Sequence, residues 1–276
     1  MELANRNYGL NCFRSLNEEH FIYASSHNLK SIEIHLDKLH ITLETFTLKR
    51  INELNRLAEK YNVKLSIHNP YNINASDIIP TFRKSDTSFM LAGIRLAAEL
   101  QAEHITAHIG NFYWFPVERW MRKKALNRFI KCMDGIVEQC EVNNITFALE
   151  NVVPIPQGSD YYFLGDNLED FSFLFERLNS KYFMFCLDIG HANVAEGVLP
   201  YIDHFGENIK TIHFHDNLGD DDTHLPIGKG NINWSKVARA IQEINFTGPI
   251  ISECRELKPH EAALLFEEYF DDVKSK

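Results

Sequence analysis

Little in this sequence speaks for secretion, a membrane or a broad nucleic-acid surface. Cysteine is sparse: Cys12, Cys132, Cys140, Cys186 and Cys254 are scattered, odd in number and never spaced as CxxC. That argues against a disulfide framework and favours reduced, mostly buried thiols in a cytoplasmic protein. No stretch approaches the roughly 18 consecutive apolar residues of a membrane span. The opening MELANRNYGLNCF lacks the charged and apolar regions of a signal peptide. Basic residues are outnumbered, 28 Lys and Arg against 38 Asp and Glu, for a formal net charge of −10. Nucleic-acid binders usually carry a basic face, so the balance weighs against one, although a local basic rim remains compatible with it.

What is present is a strand-and-helix alternation. Eight short apolar runs recur at residues 8–13 (YGLNCF), 31–36 (SIEIHL), 64–68 (KLSIH), 104–109 (HITAHI), 145–150 (ITFALE), 183–188 (FMFCLD), 209–215 (IKTIHFH) and 249–254 (PIISEC). Near-continuous apolar runs of this length suit parallel strands covered on both faces. Amphipathic segments lie between them at 48–61, 89–100, 120–142, 166–178, 234–244 and 260–270. Eight such strands in 276 residues, close to the roughly 250 of a closed barrel, predict a single (β/α)8 TIM barrel over 1–276. No linker or repeat interrupts it. Residues 153–165 (VPIPQGSDYYFLG) read as a long loop over the catalytic end.

Metal-binding residue types gather at the ends of these strands. His68, His108, Glu150 and Asp188 close the third to sixth, with His191 one turn on. His213 and His215 end the seventh, Asp222 and His224 follow, and Glu253 ends the eighth. In a barrel all these ends converge on one face. Imidazole and carboxylate suit zinc, manganese, cobalt or iron. Singly, such a histidine is commonly a satisfied rim residue, such a glutamate commonly pairs with Arg or Lys, and Asp188 suits a helix cap. Agreement across six consecutive strands is what points to a shared site.

The motifs SIHNPYNIN (66–74), TAHIG (106–110), ALEN (148–151), LDIGHAN (187–193), IHFHDN (212–217), DTHLPIGKGNINW (222–234) and ISE (251–253) resemble the xylose isomerase-like barrel superfamily, over nearly the whole chain. That group joins sugar isomerases and epimerases with the endonuclease IV family. In the first branch the resemblance implies one ion held by Glu150, Asp188, His213 and Glu253. Glu150 and Glu253 would also serve as the acid/base pair, with His191 contacting a substrate oxygen. In the second it implies three zinc ions on His68, His108, Glu150, Asp188, His191, His213, Asp222, His224 and Glu253, and hydrolysis of a phosphodiester. Every position of the larger set is filled. The cofactor implied is therefore a divalent metal, zinc or manganese, as one to three ions.

Other residues discriminate less. The loop HLDKLHITLETF after the second strand carries no arginine, and GNFYWFPVERW after the fourth is aromatic. Trp114 in it suits a sugar-stacking platform, a lid or plain packing. Tyr71 and Asn74 match the endonuclease-like pattern after His68. Lys229, between Gly228 and Gly230, offers a point charge to a phosphate or merely a tight turn. His215 points inward with His213, as a substrate or supporting contact or as a core hydrogen-bonding residue. His20 and His35 read as structural or exposed. The leading expectation is a metal-dependent sugar or sugar-phosphate isomerase or epimerase, with proton transfer beside a carbonyl through an enediolate. The alternative is a zinc phosphodiesterase acting on abasic DNA, and a third reading is a ligand binder without turnover. No membrane partner is expected, and a homo-oligomer is compatible with the sequence.

Overall fold

Alternation along the strands separates two environments. Ile32 and Ile34, Leu65 and Ile67, Phe147 and Leu149, and Phe185 and Leu187 are almost wholly buried. Phe185 shows their direction: it meets Phe171, Tyr201 and Phe205 of the surrounding helices at 4.8–6.1 Å. The intervening positions carry Glu33, His35, Ser66, His68, Glu150, Cys186, Asp188 and His213, which are also buried. Several of these meet one another around the barrel axis. One period of two thus fixes both the helix-facing core and a polar interior.

The computed structural model describes residues 3, 6–12, 15–38, 40–113, 119–156, 159 and 161–274. In chain order the elements are β1 (Tyr8–Cys12), α1 (Glu18–Ser26), β2 (Ser31–His35), α2 (Leu48–Tyr61), β3 (Lys64–His68), α3 (Pro80–Glu99), β4 (His104–Ala107) and β5 (Asn111–Tyr113). There follow α4 (Arg119–Asn143), β6 (Thr146–Glu150), β7 (Tyr161–Phe163), α5 (Leu168–Phe175), β8 (Phe183–Asp188), α6 (Ile189–Val194) and α7 (Val198–Phe205). The chain ends with β9 (Ile209–Phe214), α8 (Trp234–Glu243), β10 (Ile250–Ser252) and α9 (Pro259–Lys274). β1, β2, β3, β4, β6, β8, β9 and β10 pair in parallel and close back onto β1. This is the expected (β/α)8 barrel. Among the described residues no helix is long and apolar enough to cross a membrane. All five cysteines are free, and Cys12, Cys140 and Cys186 are buried.

The helices follow local rules. Thr47 caps α2 by accepting from the amide of Arg50, Asn62 ends it in the left-handed region, and Ile51, Leu54 and Leu57 form its buried face. Two segments depart from expectation. α3 begins at Pro80, well before residue 89, because proline suits a first helical turn. Its early residues are largely exposed and so show no apolar stripe. The loop at 153–165 contains β7, which pairs antiparallel with β5 and ties the loops after β4 and β6 together.

Gly9 lies at the seam where β1 meets both β2 and β10. A Cβ there would sit 2.7 Å from the Ser31 carbonyl oxygen and 2.5 Å from Ile251. Backbone cannot yield, so Gly9→Ala is expected to destabilise the barrel by about 1–3 kcal/mol. At Gly135, in α4, a Cβ meets nothing within 4 Å, and Gly135→Ala is expected to stabilise by roughly 1 kcal/mol. Urea unfolding of the two variants, with opposite shifts in midpoint, checks both.

Candidate metal centre

Glu150, at the end of β6, sits among imidazoles. Its Oε2 lies 2.8 Å from His68 Nε2 and 3.1 Å from His108 Nε2, and its Oε1 lies 3.1 Å from His213 Nδ1. Glu253 Oε1 approaches the same His213 nitrogen at 3.4 Å. A second group surrounds Asp222: His224 Nε2 is 3.1 Å and His191 Nε2 3.6 Å from its Oδ2. His191 ties the groups together, its Nδ1 lying 3.9 Å from Glu150 and 3.7 Å from Asp188.

The proton positions follow from the partners. A backbone carbonyl can only accept, so an imidazole nitrogen facing one must donate. His68 Nδ1 faces the carbonyl of Asn69 at 2.7 Å, His191 Nδ1 that of Asn151 at 2.8 Å, and His224 Nδ1 that of Glu253 at 3.0 Å. In each neutral ring the lone pair is then on Nε2, aimed at a carboxylate. Lone pair against carboxylate is repulsive unless a cation lies between them. This pinning of the far nitrogen is the arrangement of metal-ligating histidines.

The charge balance agrees. Burial would raise the Glu150 carboxyl, yet His213 and His108 hold it well below the usual range. Burial would lower His68, but its bond to Glu150 and that residue's charge push it up to about 9. His191 is likewise depressed by burial and driven up by Asp188 and Asp222, to about 10. Without a metal, protons hold the carboxylates together. The donor set, nitrogen and oxygen in groups within 4.8 Å of one another, fits a divalent cation of the zinc or manganese kind.

A cavity of about 680 Å³ opens over these groups. His68, His108, Glu150, His191, Asp222, His224 and Glu253 line it, while Asp188 and His213 lie wholly buried beneath. All nine expected ligand residues therefore reach one face. Asp188 also caps α6, accepting from the His191 amide at 2.7 Å. Tyr71 lines the cavity, its ring 4.6 Å from that of His108. Other substrate candidates fare differently. His215 is wholly buried and does not line the cavity. Lys229 is exposed and is not among the residues that line this cavity. Its turn serves another end: the Gly228 amide and the Trp234 indole donate to buried Asp216 at 2.8 and 3.0 Å. Asp216 also exchanges backbone bonds with Leu225 and so fixes the loop that carries Asp222 and His224. Trp114 lies outside the described residues.

Two contributors were missed in the sequence. Glu33, read only as part of a strand, is fully buried and faces His213 Nε2 at 3.1 Å. Burial works against its charge, yet His213 keeps it well below the ordinary carboxylate range. It holds His213 in the opposite sense from the other rings, Nε2 inward and Nδ1 toward Glu150 and Glu253. His35, read as structural or exposed, lines the cavity and stacks on His68 at 4.5 Å. The inward period of two from Ser31 was the available signal for both.

A sequence model described as a xylose isomerase-like TIM barrel matches residues 21–268. The uncharacterized protein MJ1311 of Methanocaldococcus jannaschii is 29% identical over 259 residues, 91% of this chain and 84% of the relative. The probable endonuclease 4 of Mycoplasmopsis synoviae is 25% identical over 201 residues, 68% of each chain. Among solved structures, a D-tagatose 3-epimerase-like protein superposes with a TM-score of 0.83 at 26% identity, covering 98% of both chains.

Glu33→Gln keeps the shape beside His213 and removes the charge. Divalent-ion affinity is expected to fall about 10–100-fold with every ligand residue intact. Competition against a chromophoric chelator measures it, and unchanged affinity in a folded variant would remove Glu33 from the account.

Proposed function

Because the chain belongs to the xylose isomerase-like TIM-barrel family, we propose that it is a metal-dependent sugar or sugar-phosphate isomerase or epimerase. The observation that carries this reading is Glu150 and Glu253 facing one small cavity, on strands three places apart in the barrel and joined through His213. About 680 Å³ lies within the range of small-molecule sites. The 26% identity to a D-tagatose 3-epimerase-like protein supports the same class.

Glu253 is the residue best placed to move a proton. Its carboxylate is approached only loosely, by His213 at 3.4 Å and His224 at 3.8 Å, whereas both oxygens of Glu150 are met by imidazoles at 2.8–3.1 Å. We assign Glu253 to take or return the proton at the carbon beside the carbonyl, and Glu150 to act from the other side while holding the ion. His191, fixed by the Asn151 carbonyl, presents Nε2 toward the cavity for a substrate oxygen or for an ion. Glu150, Asp188, His213 and Glu253 would hold the principal metal, with His68 and His108 completing a neighbouring position on Glu150. When bound, a divalent cation polarises the carbonyl and stabilises negative charge developing on the substrate oxygens.

A second reading is favoured by one observation. The His191, Asp222 and His224 group is a third donor set that single-ion proton transfer does not require. With His68 and His108 it completes the donor set of a phosphodiesterase on abasic DNA, and the probable endonuclease 4 relative has the matching name. Lys38 and Arg255 are the only Lys or Arg residues lining the cavity among the described residues. With a net charge of −10, so few cations favour a small substrate.

Ketoses and ketose phosphates, incubated with the enzyme in deuterated buffer, are expected to exchange at the carbon beside the carbonyl. Chelation should abolish exchange and added metal restore it. Glu253→Gln should lower kcat by about 10²–10⁴-fold with a smaller change in KM. Nicking of abasic duplex, lost in His224→Asn, together with no exchange on any ketose, would instead establish the phosphodiesterase.

A further inference from the structure

We propose that His215 is itself a metal ligand, joining the Asp188 group to the Asp222 and His224 group. The inference rests on the metal-dependent reading above and adds a donor to it. Strand periodicity brings His215 inward two residues after His213, and its side chain is wholly enclosed. Its Nε2 lies 3.3 Å from Asp188 Oδ1 and 3.3 Å from Asp222 Oδ1. Its Nδ1 lies 3.4 Å from the backbone carbonyl of Asp216, which can only accept. In the neutral ring the proton therefore belongs on Nδ1, and the Nε2 lone pair points between two carboxylates.

Nothing in the described protein answers that lone pair. Asp188 Oδ2, Asp222 Oδ1 and His215 Nε2 are all buried without a hydrogen-bond partner. Buried polar atoms are rarely left so, and three from one small group need a common partner. The repulsion has a scale: two unit charges 4 Å apart interact by about 4 kcal/mol at an effective dielectric of about 20. A divalent cation among them turns each repulsion into an attraction. Its ligands would come from His215 and Asp222 with Asp188 or His224, both of which form compact donor groups with His215. A set combining imidazole nitrogens with carboxylate oxygens suits a borderline ion such as zinc.

The surroundings are shaped for this ring. A Cβ on Gly190 would lie 1.9 Å from His215 Cε1, so the glycine between Asp188 and His191 clears the space the imidazole occupies. His224 stacks on the same ring, their centroids 4.0 Å apart. The paired rings offer their Nε2 atoms to the two oxygens of one carboxylate, His215 to Asp222 Oδ1 and His224 to Asp222 Oδ2.

The test uses the whole chain, stripped of metal and titrated with zinc, with ¹⁵N-labelled histidine. Saturation should move the metal-facing nitrogens of six rings: His68, His108, His191, His213, His215 and His224. His215→Asn identifies the His215 signal and should weaken one zinc site at least tenfold. His204→Asn, on an exposed residue, serves as the control and should leave zinc binding unchanged. If the wild-type chain takes up zinc while the His215 resonance stays in place, the inference is wrong and the metal reading stands. A chain that binds no zinc at all defeats both. If His215→Asn fails to fold, the number of rings that move in the wild-type spectrum decides the matter: six with His215 as a ligand, five without it.

Discussion

Imidazole lone pairs aimed at carboxylates are the constraint on which the site depends. His68, His191 and His224 each donate Nδ1 to a backbone carbonyl, leaving Nε2 to face Glu150 or Asp222. The groups are close and, apart from the partly exposed Asp222 and His224, buried, so water screens them weakly and their favourable partner is positive charge. Supporting parts follow from that requirement. Glu33 sets the orientation of His213, Gly190 leaves room for a ring, and Asp216 gathers a loop so that Asp222 and His224 arrive together. The barrel makes the convergence possible because parallel strands deliver their ends to one face.

The same arrangement explains why two chemistries compete for this chain. Proton transfer at a sugar carbon needs two carboxylates and one polarising ion in a cavity of modest size. Phosphodiester hydrolysis needs more cations and a surface that grips DNA. The donor groups go beyond the first requirement, whereas the acidic chain and the two basic residues lining the cavity among the described residues fall short of the second. The resemblance reaches both branches, and on the proposed reading the small cavity favours a small substrate over DNA.

Much of this was legible in the sequence. Apolar runs located the eight barrel strands to within a residue or two because packing on both faces demands such runs. The nine expected ligand residues were visible because they stand at strand ends or in the turns and loops just beyond them, where a barrel gathers them. Residues whose work lies inside the barrel were harder to see. Glu33 sits within SIEIH, where Ser31, Glu33 and His35 alternate with isoleucines; the period of two marks it as inward, but only the barrel's register brings it to His213. His104 illustrates the converse. Burial pushes it down to about 3, so it stays neutral in the interior, and residue type alone would not separate it from a ligand. Lys229 offered either a phosphate contact or a tight turn; the flanking glycines pack against Asp216, as a turn requires, and the lysine itself is exposed. The β5–β7 ribbon could not be read because its strands are three residues each and pair across distant loops.

The most direct measurement is the metal content per chain, by mass spectrometry, after purification with neither added metal nor chelator. The account predicts bound divalent ions in at least one equivalent per chain, rising toward three when zinc is supplied. A folded chain that emerges metal-free and takes up neither zinc nor manganese on titration would contradict it, because the facing lone pairs and carboxylates would then be held by protons alone.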